Sequence, residues 1–144
     1  MGRRERLKMT DEELRSFLEE ERVLRLATID EAGWPAVVPV WYVEQDGDIW
    51  VWNLDRAQRT ARLEQGTNVG ICIDGGVGYA ELRGITARAN YTFVDDDEVP
   101  VEVRTKMGRK YFGLDGPVDA VADHTWIRLE LSDVQTWDFR KIFI

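Results

Sequence analysis

"PAVVPVWYVEQDGDIWVWNL", residues Pro35 to Leu54, decides how the chain folds. Its valines and aromatics suit an extended chain better than a helix. Pro39 stands inside the first run. Proline removes a ladder donor, so an edge strand, a bulge or a bend is expected there. Asp46-Gly47 is a strong hairpin signal. DIWVWNL, Asp48 to Leu54, is then the returning strand.

Outward from this hairpin, the N-terminal side opens with Thr10 and Glu13, spaced as a capping box. A helix over Asp11 to Glu20 follows, with Leu14, Phe17 and Leu18 as its inward stripe. RVLRLATID, Arg22 to Asp30, reads as a strand, followed by a turn through Gly33. On the other side, Asp55 is expected to cap a short arginine-rich helix that Gly66 ends. NVGICID, Asn68 to Asp74, alternates Val69, Ile71 and Ile73 onto one strand face. ELRGITARANYTFV, Glu81 to Val94, reads as a long strand with a bulge at Gly84. A helix over Val101 to Phe112 and a loop from Leu114 to Asp123 follow. Thr125 to Ile144 reads as two strands parted at Ser132 and Asp133.

No alternation of strands with long helices is present, so a doubly wound parallel sheet is not expected. Hairpin-linked strands with a few helices imply a mostly β protein, an antiparallel barrel with accessory helices. The 144 residues suit a single domain over residues 1–144, with residues 1–9 as a flexible N-terminus.

The formal net charge is −8. That balance argues against nucleic acid and against an anionic membrane surface as partners. No apolar run approaches the ~20 residues of a membrane span, and no leader is legible. A cytoplasmic location is the expectation. Cys72 is the only cysteine, so no internal disulfide or thiolate cluster can form.

The usual catalytic tools are few. There is no glycine-rich dinucleotide fingerprint and no phosphate loop. His124 is the only histidine and reads as a turn residue. Cys72 reads as a packed thiol, and the Asp95 to Asp97 run as a solvated turn. No metal site is expected. An enzyme with this sequence therefore needs a bound cofactor to carry its reaction. Arg56, Arg59 and Arg62 share a helix face beyond a strand that bears Trp50 and Trp52. Guanidinium matches phosphate, and apolar strands wall flat rings, so the segment suits a planar, phosphorylated anion. A solvated face paired with Glu64 and nearby acids is the other reading. The terminal "TWDFRK" alternates Trp137 and Phe139 with Asp138 and Arg140, and Lys141 follows. It is either part of a binding groove or a barrel-closing strand with basic ends.

The run from Arg22 to Asn53, the arginine segment, "NVGICID" and "WDFRK" together resemble the pyridoxamine 5'-phosphate oxidase-like split β-barrel superfamily. The nearest likeness is to its flavin- and deazaflavin-dependent oxidoreductases. The resemblance covers roughly residues 14–141. It implies a split barrel, a homodimer, and a cofactor, FMN or F420, lying in a groove between the chains. It implies hydride transfer to or from a small organic substrate, with non-catalytic cofactor carriage as the alternative. It places Val38, Pro39, Val40 and Trp41 beside the cofactor ring. Trp52, Asn53 and Leu54 fall on the next strand, whose end approaches the cofactor. Arg56, Gln58, Arg59 and Thr60 fall on the segment that holds phosphate. The family often has serine, arginine and lysine where this chain has Gln58, Arg59 and Thr60, so Arg56 or Arg62 would stand in for the lysine. Trp137, Arg140 and Lys141 would reach the same groove, from the same chain or its partner. No residue is assigned to the chemical step.

Overall fold

The computed structural model describes residues 2–143. Met1, in the expected N-terminal segment, and Ile144, at the end of the expected last strand, lie outside them. The elements are α1 (Arg3–Arg6), α2 (Asp11–Glu20), β1 (Leu24–Ile29), β2 (Pro35–Val40), β3 (Tyr42–Gln45), β4 (Asp48–Leu54), α3 (Gln58–Gln65), β5 (Val69–Gly75), β6 (Arg83–Val94), α4 (Val101–Phe112) and β7 (His124–Asp138). A 3-10 turn over Phe139–Phe143 follows β7. Every strand pair is antiparallel, in the order β2-β1-β5-β6-β7-β4-β3.

That order dictates a closed shape. β2 and β3 are the two outer strands of the sheet, yet only Trp41 lies between them in the chain. One residue spans at most ~3.6 Å, so the two edges must meet and the sheet must curl into a barrel. Pro39 fits because β2 is an edge strand and its missing N–H breaks no inner ladder. Asp46 and Gly47 both have positive φ, 53° and 87°. A two-residue type I′ hairpin turn requires that conformation at both positions.

Two apolar cores result. Inside the barrel, Leu24, Leu26, Tyr42, Ile49, Val51, Ile71, Ile73, Ile85, Ile127 and Leu129 pack with Phe17 and Leu18 of α2. Outside it, α4 lays Val103 and Met107 against Val43, Trp50 and Trp126. The Thr10–Glu13 capping box forms as expected, with both reciprocal bonds present.

The structure corrects three local expectations. First, the last segment is one strand of 15 residues rather than two. Ser132 pairs with Arg88 and Gln135 with Thr86, so Asp133 and Val134 together oppose Ala87 as a bulge. Asp133 takes φ 50° there. That left-handed turn of the backbone absorbs the extra residue, and the ladder then resumes. Second, the bulge lies between Thr86 and Arg88, not at Gly84. Gly84 is instead a close approach: the Trp137 ring occupies the space a Cβ would need. Third, Asp55 does not cap α3. Its carboxylate accepts the Thr125 hydroxyl at 2.7 Å, tying β4 to β7, and Ala57 stands at the N-cap with no side-chain bond.

Candidate functional site

β4 ends on Asn53 and Leu54, and α3 begins at Gln58 after a short turn. Asn53 and Thr60 are both buried. The Asn53 amide donates to the Thr60 hydroxyl at 2.8 Å, and that hydroxyl donates to the Leu54 carbonyl at 2.8 Å. The remaining Asn53 oxygen accepts from Arg59 Nε at 2.9 Å. Strand end and helix start are thus locked together, and the lock orients one guanidinium.

Arg59 is half buried. Among the described residues it has no carboxylate within ion-pair distance, and its terminal guanidinium nitrogens make no hydrogen bond. Burial lowers its affinity for the proton. A guanidinium nevertheless stays charged at any physiological pH. A partly desolvated cation without a counter-ion is costly unless an anion completes it. Arg56, exposed, and Arg62, half buried, also lack an ion pair among the described residues. The expected alternative, pairing with Glu64 and nearby acids, is absent there. The start of α3 has no side-chain cap. Its first N–H groups therefore add positive potential beside Arg59. Gln58 is exposed on the same turn.

The opposite face of β4 carries Trp52. It stacks on Trp126 (5.5 Å, 12°), meets Phe112 edge-on (6.1 Å, 83°) and touches the ring of His124 (5.4 Å). Its indole N–H is buried without an acceptor among the described residues. Phe112 also meets Trp41 edge-on at 5.7 Å, so Trp41 and Trp52 share one aromatic cluster. In β2, Val38 leans on the inner core, Val40 is buried and Pro39 is exposed.

The profile of a family described as pyridoxamine 5'-phosphate oxidase matches residues 10–138. The chain belongs to this family. No curated protein matches the sequence. Solved structures share the family fold. A conserved hypothetical protein, Rv2991 from Mycobacterium tuberculosis, is 24% identical with a TM-score of 0.85, covering 100% of this chain and 94% of that one. HutZ, a heme storage protein from Vibrio cholerae, is 23% identical with a TM-score of 0.71, covering 88% and 94%. An F420 reductase is 18% identical with a TM-score of 0.61, covering 83% and 94%. At these identities the likeness is one of fold.

Within this pyridoxamine 5'-phosphate oxidase fold, the sequence-derived residues outside β2 divide into two groups. Trp41, Trp52, Asn53, Leu54, Arg56, Gln58, Arg59 and Thr60 gather around the end of β4. Trp137, Arg140 and Lys141 lie at the other end of β7. An extended strand rises ~3.3 Å per residue, so up to ~40 Å of strand separates the two groups. At that far end the cations are engaged within the chain. Arg140 grips Asp138 with two side-chain bonds, at 2.9 and 2.8 Å. Lys141 bonds Glu13 at 2.6 Å and the Lys8 carbonyl at 2.7 Å. Burial pushes the Asp138 carboxyl up, but the Arg140 bonds outweigh it and hold it below its ordinary range.

Sequence reasoning missed Tyr111, Phe112 and His124 as neighbours of the two tryptophans. Phe112 is legible only as the last residue of a helix. Its meeting with Trp41 depends on α4 docking across the β2–β3 corner, which no local pattern encodes. Cys72 is half buried on the outer face of β5, where burial pushes its thiol up. No helix among the described residues is long and apolar enough to cross a membrane.

Proposed function

We propose that the chain is a flavin- or deazaflavin-dependent oxidoreductase that works as a homodimer, with FMN or F420 held in a groove at the dimer interface. The observation that carries this reading is Arg59: half buried, aimed by Asn53, and without an anion of its own. Arg56, Arg62 and the uncapped start of α3 complete an anion seat for the cofactor's phosphate. The donor set fits a phosphate, which takes several N–H bonds from a guanidinium fork and helix N-terminus. It lacks the lysine that often follows in the family, and Thr60 there serves the fold by joining Asn53 to Leu54.

When bound, such a cofactor supplies hydride transfer, which no side chain of this protein can perform. The chain's own residues bind and position. Arg59 fixes the anionic end, and Val38 to Trp41 and Trp52 to Leu54 wall the ring. The buried Trp52 N–H has no acceptor among the described residues. Trp137, Arg140 and Lys141 lie too far along β7 to join the Arg59 seat of their own chain. In the proposed dimer they approach the partner's cofactor.

The outer face of the sheet supports association. Ala27, Gly70 and Thr86 present little bulk there, while Ile29, Trp34 and Val37 are exposed apolar groups beside them. Such an exposed patch marks an interaction site. Carriage without turnover uses the same seat. Incubation with FMN or F420, desalting and an absorbance scan test the binding. Consumption of reduced cofactor with an electron acceptor separates enzyme from carrier.

A further inference from the structure

A groove of about 400 Å³ lies where α2, β3 and α4 meet. That volume falls in the range of small-molecule sites, about 300–1,000 Å³. Leu18 of α2 and Val43 of β3, 5% and 2% exposed, form its floor. The other wall is α4, whose Lys106 and Lys110 stand one turn apart. The Lys106 ammonium reaches across to β3 and donates to the Glu44 carbonyl at 2.7 Å. The Lys110 ammonium reaches across to α2 and donates to the Leu18 carbonyl at 2.9 Å. Their carbon stems therefore extend the apolar lining, with charge held at its margins. No aromatic ring lines the groove among the described residues.

An ammonium has three N–H donors, and each of these makes one hydrogen bond among the described residues. Arg109, exposed on the same turn, also lines the groove. None of the three cations has a carboxylate within ion-pair distance among the described residues. Two acids line the groove as well. Glu44 turns its carboxylate to the Gly47 N–H, at 3.3 Å, and Glu19 is exposed at the rim. Three cations against two carboxylates leave one positive charge over an aliphatic floor. Burial makes the Lys110 ammonium costly, and Glu19 and Glu21 relieve it only through space. An anion in the groove is favoured by that cost, because it supplies the missing partner.

We propose that the groove binds a medium-chain fatty acid. The carboxylate takes the free N–H groups of Lys106 and Arg109, and the alkyl chain lies on Leu18 and Val43. A single negative charge matches the surplus, and an aliphatic chain matches a lining without rings. The groove shares no residue with α3 or the end of β4, so the proposal stands apart from the cofactor seat and from the function read there.

Calorimetric titration of the full chain with octanoate and with neutral octan-1-ol tests it, with and without saturating FMN or F420. Octanoate is expected to bind saturably, at least tenfold more tightly than the alcohol. Arg109→Gln weakens octanoate at least threefold and leaves the alcohol unchanged. Glu19→Gln, which removes a negative charge from the rim, tightens octanoate at least twofold. Both side chains are exposed, and an unchanged urea midpoint shows that the variants fold. Absence of saturable octanoate binding overturns the proposal, as does equal affinity for acid and alcohol. Unchanged octanoate affinity in Arg109→Gln overturns it too. Displacement of octanoate by FMN or F420 also overturns it, because the groove would then be the cofactor's own seat. Octanoate binding by a chain that retains neither cofactor supports the groove and removes the function proposed above.

Discussion

Asn53 holds the site at the scale of single residues. One side chain bonds the helix through Thr60 and the cation of the proposed anion seat through Arg59 Nε. Asn53→Ala leaves buried groups without partners, which costs about 1–3 kcal/mol. Urea denaturation measures that loss, and cofactor retention falls with it because Arg59 is no longer aimed. Arg59→Lys keeps the charge and loses the fork, so it retains cofactor better than Arg59→Ala and worse than wild type. Fluorescence titration with FMN, or absorbance with F420, ranks the three. The residue types of this site are legible in the sequence. Arginines after an aromatic strand are the pattern on which the proposed anion seat rests. Which arginine is buried is not legible, because that depends on the Asn53–Thr60 lock formed only when β4 turns into α3.

Elements are legible where the signal is local. The capping box, the Asp46-Gly47 turn, the bounds of α4 and the glycine end of α3 all appear where the sequence places them. The misplaced bulge and the divided last strand depend on cross-strand partners. Gly84 is glycine because Trp137 lies over it, from a strand distant in sequence. Gly84→Ala therefore forces the Trp137 ring out and costs about 1–3 kcal/mol by overpacking, seen as a lower urea midpoint. α4 docks on α2 through Lys110, whose ammonium donates to the Leu18 carbonyl at 2.9 Å and sits 3.9 Å from the Tyr42 ring. Burial, aided by Arg22, pulls Lys110 from its ordinary 10.5 down to about 8, against Glu19 and Glu21. The unfolded chain then holds the extra proton between pH 8 and 10.5. Stability therefore rises with pH through the lower part of that window. Burial pushes Tyr42 and Tyr111 up from their ordinary 10.0, so near pH 10 the unfolded chain sheds phenolic protons that the folded chain keeps, and the rise ends there. The urea midpoint is expected to rise from pH 7.5 to 9.5 in wild type, and Lys110→Met flattens the rise. An equal rise in the variant contradicts the assignment.

The whole molecule is a barrel closed by one residue, carrying a site that, in the proposed dimer, one chain only half supplies. The antiparallel barrel is legible because hairpins and short helices leave few alternatives. Closure at Trp41 is not, because strand order is a property of the sheet rather than of any segment. The Arg59 seat and the Trp137–Lys141 segment lie at opposite ends of β7, and a second copy is what would bring them near. Val37→Asp on the exposed outer face is expected to shift sedimentation from dimer to monomer and to abolish cofactor retention together. A monomeric wild type removes the dimer from the account. The most direct test of its central claim is the absorbance of wild type and Arg59→Ala after incubation with FMN or F420 and desalting. The wild type is expected to keep a flavin or deazaflavin band that Arg59→Ala loses at least several-fold. No band in either protein, or an equal band in both, contradicts the account.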